Sequence, residues 1–125
     1  MRLSINTTHI KVYRQIVEII RSIPPLNKLR NRELDVLSII MYYNYKYRNI
    51  EKSIRWRVIN DQSTRREMQD CINMTEAAFV NNISILRKIG VILKDGTIPS
   101  FLQLIVDNKY EVKFIFNIEE DGIQR

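Results

Sequence analysis

The sequence predicts an α+β fold in which helices run as far as residue 89 and an antiparallel β-hairpin follows. Three observations predict it. Apolar residues recur at helical spacing through the first two thirds of the chain. A short polar break around Asn73 separates two compact amphipathic segments. After Gly90 the apolar period drops to two.

The elements follow in order. Ile10, Tyr13, Val17 and Ile20 share one helical face, and Thr8 is a candidate N-cap, so a first helix is expected over Thr8 to Ser22. Pro24-Pro25 ends it, because proline disfavours helical geometry in the residue before it. Asn31 is expected to cap a second helix whose stripe is Leu34, Leu37, Ile40 and Met41. Glu33 and Asp35 fall in its first turn, where the helix dipole favours acids. That run continues through Tyr42, Tyr43, Tyr45 and Tyr47 and ends near Arg48. Residues 49–62 read either as a short strand, with Ile54, Trp56 and Val58 on one side and Arg55 and Arg57 on the other, or as a loop.

Thr64 to Glu67 has the T-x-x-E form of a capping box, with Met68, Cys71 and Ile72 as the apolar face of a short third helix. Thr75 is the expected N-cap of the next helix. Met74 and Phe79 have the spacing of a hydrophobic staple, and Phe79, Ile83, Leu86 and Ile89 continue one face. Gly90 sits where a left-handed residue closes a helix. Val91-Ile92-Leu93 then reads as a strand, Lys94-Asp95-Gly96 as a turn, and Ile98 to Val106 as a second extended segment. Past a turn at Asp107-Asn108-Lys109, Tyr110, Val112, Phe114, Phe116 and Ile118 alternate with Glu111, Lys113, Ile115 and Asn117. This is the strongest strand signal in the chain.

Two short helices joined by a minimal turn, then a glycine and a hairpin, make a helix-turn-helix followed by a wing. Residues 63–93, STRREMQDCINMTEAAFVNNISILRKIGVIL, resemble winged helix-turn-helix domains, most clearly in Leu86-Arg-Lys-Ile-Gly90-Val-Ile. The stretch RNRELDVLSIIMYYNYKY would be the support helix behind the motif. With the later hairpin, the pattern is also similar to small winged-helix proteins of tailed bacteriophages. The resemblance spans about residues 30–118 and implies a division into three parts. Residues 1–29 form an N-terminal helix and Pro-Pro linker, 30–118 the winged-helix domain, and 119–125 a polar tail.

Composition bounds the function classes. The 125 residues suit one domain, and a hydrophobic fraction of 45% supports one packed core. A single cysteine, Cys71, excludes an internal disulfide and a cysteine-based zinc site and suits a reducing compartment. His9 stands apart from cysteines and acids, so no metal is expected. No Ser/His/Asp constellation, P-loop or dinucleotide fingerprint occurs, so the expectation is a non-enzyme without cofactor or small-molecule substrate. The N-terminal residues lack the apolar stretch of a signal peptide, and no run reaches the roughly 20 apolar residues of a membrane span. The expected location is the host cytoplasm, or the virion if the protein is structural.

The net charge of +6 is unevenly spread. Residues 46–66 carry seven basic and two acidic side chains, whereas residues 91–125 carry four basic and six acidic ones. A basic half favours polyanionic partners.

Two readings follow. In the first, the protein binds DNA with the helix from Thr75 to Ile89 in the major groove. Asn81, Ser84, Arg87 and Lys88 would face bases and phosphates, and Arg55, Arg57, Arg65 and Arg66 would hold flanking phosphates. Glu76 at the helix start would repel phosphate, and of the outward positions Glu76, Ala77, Val80, Asn81 and Ser84 only Asn81 and Ser84 suit base contact. The plain alternative for all of these is a solvated surface. Trp56 reads as a core anchor, with base stacking as the alternative. In the second reading the domain is a structural or adaptor subunit, such as a head–tail connector component, that meets protein partners. Tyr42, Tyr43, Tyr45 and Tyr47 are then the candidate interface for self-association or other viral proteins, against the alternative of a core whose phenols reach the surface. Cys71 reads as a buried core thiol.

Overall fold

The computed structural model describes residues 2–121. Helices carry the fold: α1 (His9–Ile20), α2 (Asn31–Lys46), α3 (Lys52–Ile59), α4 (Gln62–Ile72) and α5 (Glu76–Ile89). Short 3₁₀ turns lie at Leu26–Lys28 and Ser100–Leu102.

Helix α2 is the centre. Its Leu34, Val36, Leu37, Ile39, Ile40 and Met41 are all buried, so nearly the whole circumference is apolar and covered. The other four helices all pack on it. Helix α1 contributes Tyr13, Ile16 and Val17, α3 contributes Ile59, α4 Met68, and α5 Phe79 and Leu86. Ile10, expected on the inner face of α1, is exposed. Polar groups inside α2 are satisfied locally: Ser38 Oγ donates to the Asp35 carbonyl at 2.8 Å and Asn44 Nδ2 to the Ile40 carbonyl at 2.9 Å. Arg14 Nε donates to the Asp35 carboxylate at 2.7 Å and ties α1 to α2. The first residue of α2 is Asn31. Arg30 occupies the cap, and the Glu33 carboxylate accepts its backbone N–H at 3.0 Å.

Residues 52–59 are helical, which replaces both the strand and the loop expected there. Arg55 explains the difference. From within the helix its guanidinium donates to the carbonyls of Arg48, at 3.0 Å, and Ile50, at 2.9 and 3.2 Å. It thereby satisfies free carbonyls of the turn that leaves α2.

The start of α4 also differs from expectation. Asp61 is the cap, accepting the Ser63 N–H at 3.2 Å and the Ser63 hydroxyl at 2.6 Å. Thr64 is consequently buried within the helix. Glu67 does not close a capping box and instead accepts the Tyr43 phenol at 3.0 Å.

The α+β winged architecture is overturned: among the described residues there is no β-strand. The intended ribbon begins and stops. Leu93 N–H reaches the Thr97 carbonyl at 2.7 Å across a turn closed by Gly96, and the Asp95 carboxylate accepts the Thr97 N–H at 3.0 Å. Pro99 then has no N–H to continue a ladder, and Ser100–Leu102 coils into a 3₁₀ turn. Ile98, Leu102 and Val106 enter the core at intervals of four rather than two. Gln103 Nε2 locks this path by donating to the Ile98 carbonyl at 2.8 Å. Tyr110 to Ile118, the expected outer strand, is exposed and unpaired. The core therefore ends at Val106, and residues 122–125 of the expected polar tail lie outside the described residues.

Candidate nucleic-acid interface

Helices α4 and α5 meet at a turn made by three residues. Asn73 adopts the left-handed conformation, with φ +50°, and Met74 N–H returns to the Gln69 carbonyl at 2.9 Å. Asparagine tolerates this conformation through its short polar side chain. Arg32, in the first turn of α2, donates to the Asn73 carbonyl at 3.0 Å and holds the turn against the body. Thr75 Oγ then accepts the Ala78 N–H at 3.2 Å and opens α5. Gly90, with φ +92°, closes it, its N–H reaching the carbonyls of Leu86 and Arg87 at 3.1 Å.

Because Phe79 and Leu86 bury one face of α5, the opposite face presents Ala77, Val80, Asn81, Ser84, Arg87 and Lys88, all exposed. The N-terminal half of this stripe is small and neutral, and the C-terminal half is basic. No acid pairs with Arg87 or Lys88 among the described residues.

Glu76 is held rather than free. Arg65 forms an ion pair with its carboxylate, and the Gln69 amide donates to the same group. The acid at the head of α5 is thus neutralised by α4, and Arg65 is consumed in doing so. Gln62, Arg65, Arg66, Gln69 and Glu76 line one depression beside the start of α5, in which Arg66 is the exposed cation without an acid partner among the described residues.

The other end of α5 is built around Trp56. The half-buried indole packs against the core on one side. Gly96 of the 93–97 turn lies against the ring, and the Arg87 guanidinium sits 5.7 Å from the ring centroid. The Thr97 hydroxyl and N–H hold the Asp95 carboxyl below the usual carboxylate range, with a contribution from Lys52 at the head of α3. Arg57 is exposed near Asp61 and Thr64.

Of the eight predicted contact residues, Asn81, Ser84, Arg87 and Lys88 share the outer face of α5, while Arg57 and Arg66 are exposed on α3 and α4. Arg55 and Arg65 are half-buried and committed to internal partners. Two further residues belong beside this set. Val80 shares the outer stripe and is 46% exposed, and Lys52 stands at the head of α3. The sequence places Val80 among the outward positions of this helix but does not count it as suited to base contact. Lys52 has no signal until residues 52–59 are known to be a helix.

The tyrosines of α2 face inward more than outward. Tyr43 is buried, with its phenol pushed up in pKa by burial and by the neighbouring Glu67 carboxylate. Tyr42, Tyr45 and Tyr47 are half-buried. Tyr45 stacks on His9 at 5.3 Å, lies under the Arg48 guanidinium at 4.2 Å, and donates to Asp107 at 3.3 Å. Tyr42 meets Tyr13 and Tyr43 edge-on or tilted, and Tyr47 tilts against Tyr43. The tyrosine run thus forms an aromatic cluster closed within the chain. Cys71 is exposed, not a core thiol. Partial burial, with Glu67 and Asp70 nearby, raises its pKa and so disfavours the reactive thiolate.

No protein-family model matches the chain, and neither does any curated protein or solved structure compared with it. Among the described residues, no helix is long and apolar enough to cross a membrane.

Proposed function

We propose that the chain is a non-enzymatic DNA-binding protein that lays the outer face of α5 in the major groove. The observation that carries this reading is that outward stripe. Val80, Asn81 and Ser84 come first, Arg87 and Lys88 follow, and the one acid at the helix head is already paired. Asn81 has the donor and acceptor that match an adenine edge, and Val80 offers an apolar contact to a thymine methyl. Arg66 beside the start of α5, and Lys52 and Arg57 on α3, are placed for flanking phosphates. No wing takes part. The 93–97 turn serves instead as packing for Trp56 and leaves α3 to supply the second basic edge.

Five phosphate contacts, from Lys52, Arg57, Arg66, Arg87 and Lys88, imply a log–log salt slope of about 4 to 5. Affinity should then fall by about two to three powers of ten between 50 and 200 mM salt. Fluorescence anisotropy with a labelled duplex, titrated at several salt concentrations, tests this. Binding with that slope, reduced by about 2 in the Arg87→Ala/Lys88→Ala variant, supports the reading. Absence of binding at low salt, or a slope unchanged in the variant, overturns it.

A further inference from the structure

Residues 109–119 carry the features of a β-strand without a neighbour. Tyr110, Val112, Phe114, Phe116 and Ile118 alternate with Glu111, Lys113, Ile115 and Asn117. Every residue from Asp107 to Asp121 is exposed, Phe116 at 81% and Ile118 at 90%. Among the described residues, the backbone of this segment makes no hydrogen bond to the rest of the chain. Five large apolar side chains on one face and a full row of free N–H and C=O groups both call for a partner strand.

We infer that this segment pairs antiparallel with the same segment of a second copy, with Phe114 opposite Phe114. This register avoids the like-charge and apolar–polar oppositions that its neighbours impose. It sets Tyr110 opposite Ile118 and Val112 opposite Phe116, so the five alternating apolar residues of each strand meet on one face, while Ile115 stands on the other face opposite Lys113. It also sets Lys109, which lies 3.3 Å from the Glu111 carboxylate of its own strand, opposite Glu119 at both ends of the ribbon. Moving the centre to Lys113 places two lysines face to face, and moving it to Ile115 places Glu111 opposite Glu119. Larger shifts set Phe116 against Asn108 or Val112 against Glu120. The segment is thus self-complementary in shape and charge about its own midpoint, the pattern an isologous two-fold contact requires.

The chain's own N-terminal residues are a poorer occupant, since the apolar alternation there is confined to Met1, Leu3 and Ile5. A two-stranded ribbon is marginal alone, and exposed Phe101 and Ile105, just ahead of the segment, supply further apolar surface for it to close on. The tyrosine cluster of α2 takes no part.

Sedimentation equilibrium of the full chain, without DNA, tests the inference. A concentration-dependent dimer is expected. Phe114→Glu places two like charges face to face at the centre and should weaken the dimer by about tenfold or more. Its helical circular dichroism should not change, because residue 114 lies outside the core. Lys109→Glu or Glu119→Lys alone should weaken association by about two- to fivefold, and the double exchange should restore it. A monomer at high concentration, a dimer indifferent to Phe114→Glu, or a charge exchange that fails to restore pairing overturns the inference. DNA binding by a monomeric chain would leave the proposed function standing and still remove this one.

Discussion

Gly96 lies against the face of the Trp56 indole, so close that a Cβ at position 96 would fall within the ring's own van der Waals surface. Gly96 also adopts φ +85°. Both conditions select glycine, one through space and the other through backbone geometry. Gly90 isolates the second condition, with φ +92° and nothing within 4 Å of the place a Cβ would take. Gly90→Ala should therefore cost about 1 kcal/mol and Gly96→Ala about 2–4 kcal/mol. Urea unfolding of the two variants checks the order. Equal losses would mean that the Trp56 contact carries no energy.

The second prediction concerns how residues 98–106 are held to the body. Tyr13, fully buried on α1, donates its phenol to the Leu104 carbonyl at 2.8 Å, and burial raises its pKa. Tyr13→Phe keeps the ring and removes the donor, so a loss of about 1 kcal/mol is expected. Amide exchange should quicken around residues 102–106 more than in α4. Uniform quickening would show that the bond does not anchor this segment.

Acid should act on the cap of α4. The Ser63 hydroxyl and N–H hold the Asp61 carboxyl below its usual range. A carboxyl whose folded pKa is lowered stabilises the fold above its unfolded value of about 3.9, and that contribution is lost as pH falls through the folded value. Asp61→Asn retains an acceptor at the cap but removes the titration. The stability difference between the parent and this variant should shrink below about pH 4. A difference constant from neutral to strongly acidic pH would contradict the assignment.

Glu76 gives the sharpest division among the basic residues. Glu76→Gln removes an acid from the head of α5 and releases Arg65. Duplex affinity should rise, with the salt slope steeper by about 1. Arg55→Ala should behave in the opposite sense. Its guanidinium already serves the Arg48 and Ile50 carbonyls, so stability should fall while the salt slope stays the same. A slope reduced by Arg55→Ala would show that this side chain reaches phosphate after all.

Local chemistry explains which parts of the molecule can be read from the residues. The α4–α5 turn announces itself through Thr75, the Met74–Phe79 spacing and Gly90, all of which act within one or two helical turns. Helix α3 does not. Ile54, Trp56 and Val58 alternate in the sequence, and their helical state depends on Arg55 reaching carbonyls of the preceding turn. The strand pattern of 91–118 is genuine as a pattern, but a strand needs a neighbour, and Pro99 with the turn at Ser100–Leu102 removes the one within reach. Cys71 differs from expectation by a single step around α4, where Thr64 and Met68 mark the buried line and residue 71 falls beside it. Within the candidate interface, position on α5 is legible from helical spacing. The internal commitments of Arg55 and Arg65 are not, because both partners come from other elements or turns.

Trp56 is the sole tryptophan of the chain, and it rests against Gly96 with the Arg87 guanidinium 5.7 Å from its ring centroid. Any polyanion that draws the Arg87 guanidinium away from the indole must alter the ring's surroundings. Ultraviolet emission of the unlabelled protein thus doubles as an indicator dye for that end of α5, wired in by the same packing that stabilises the turn.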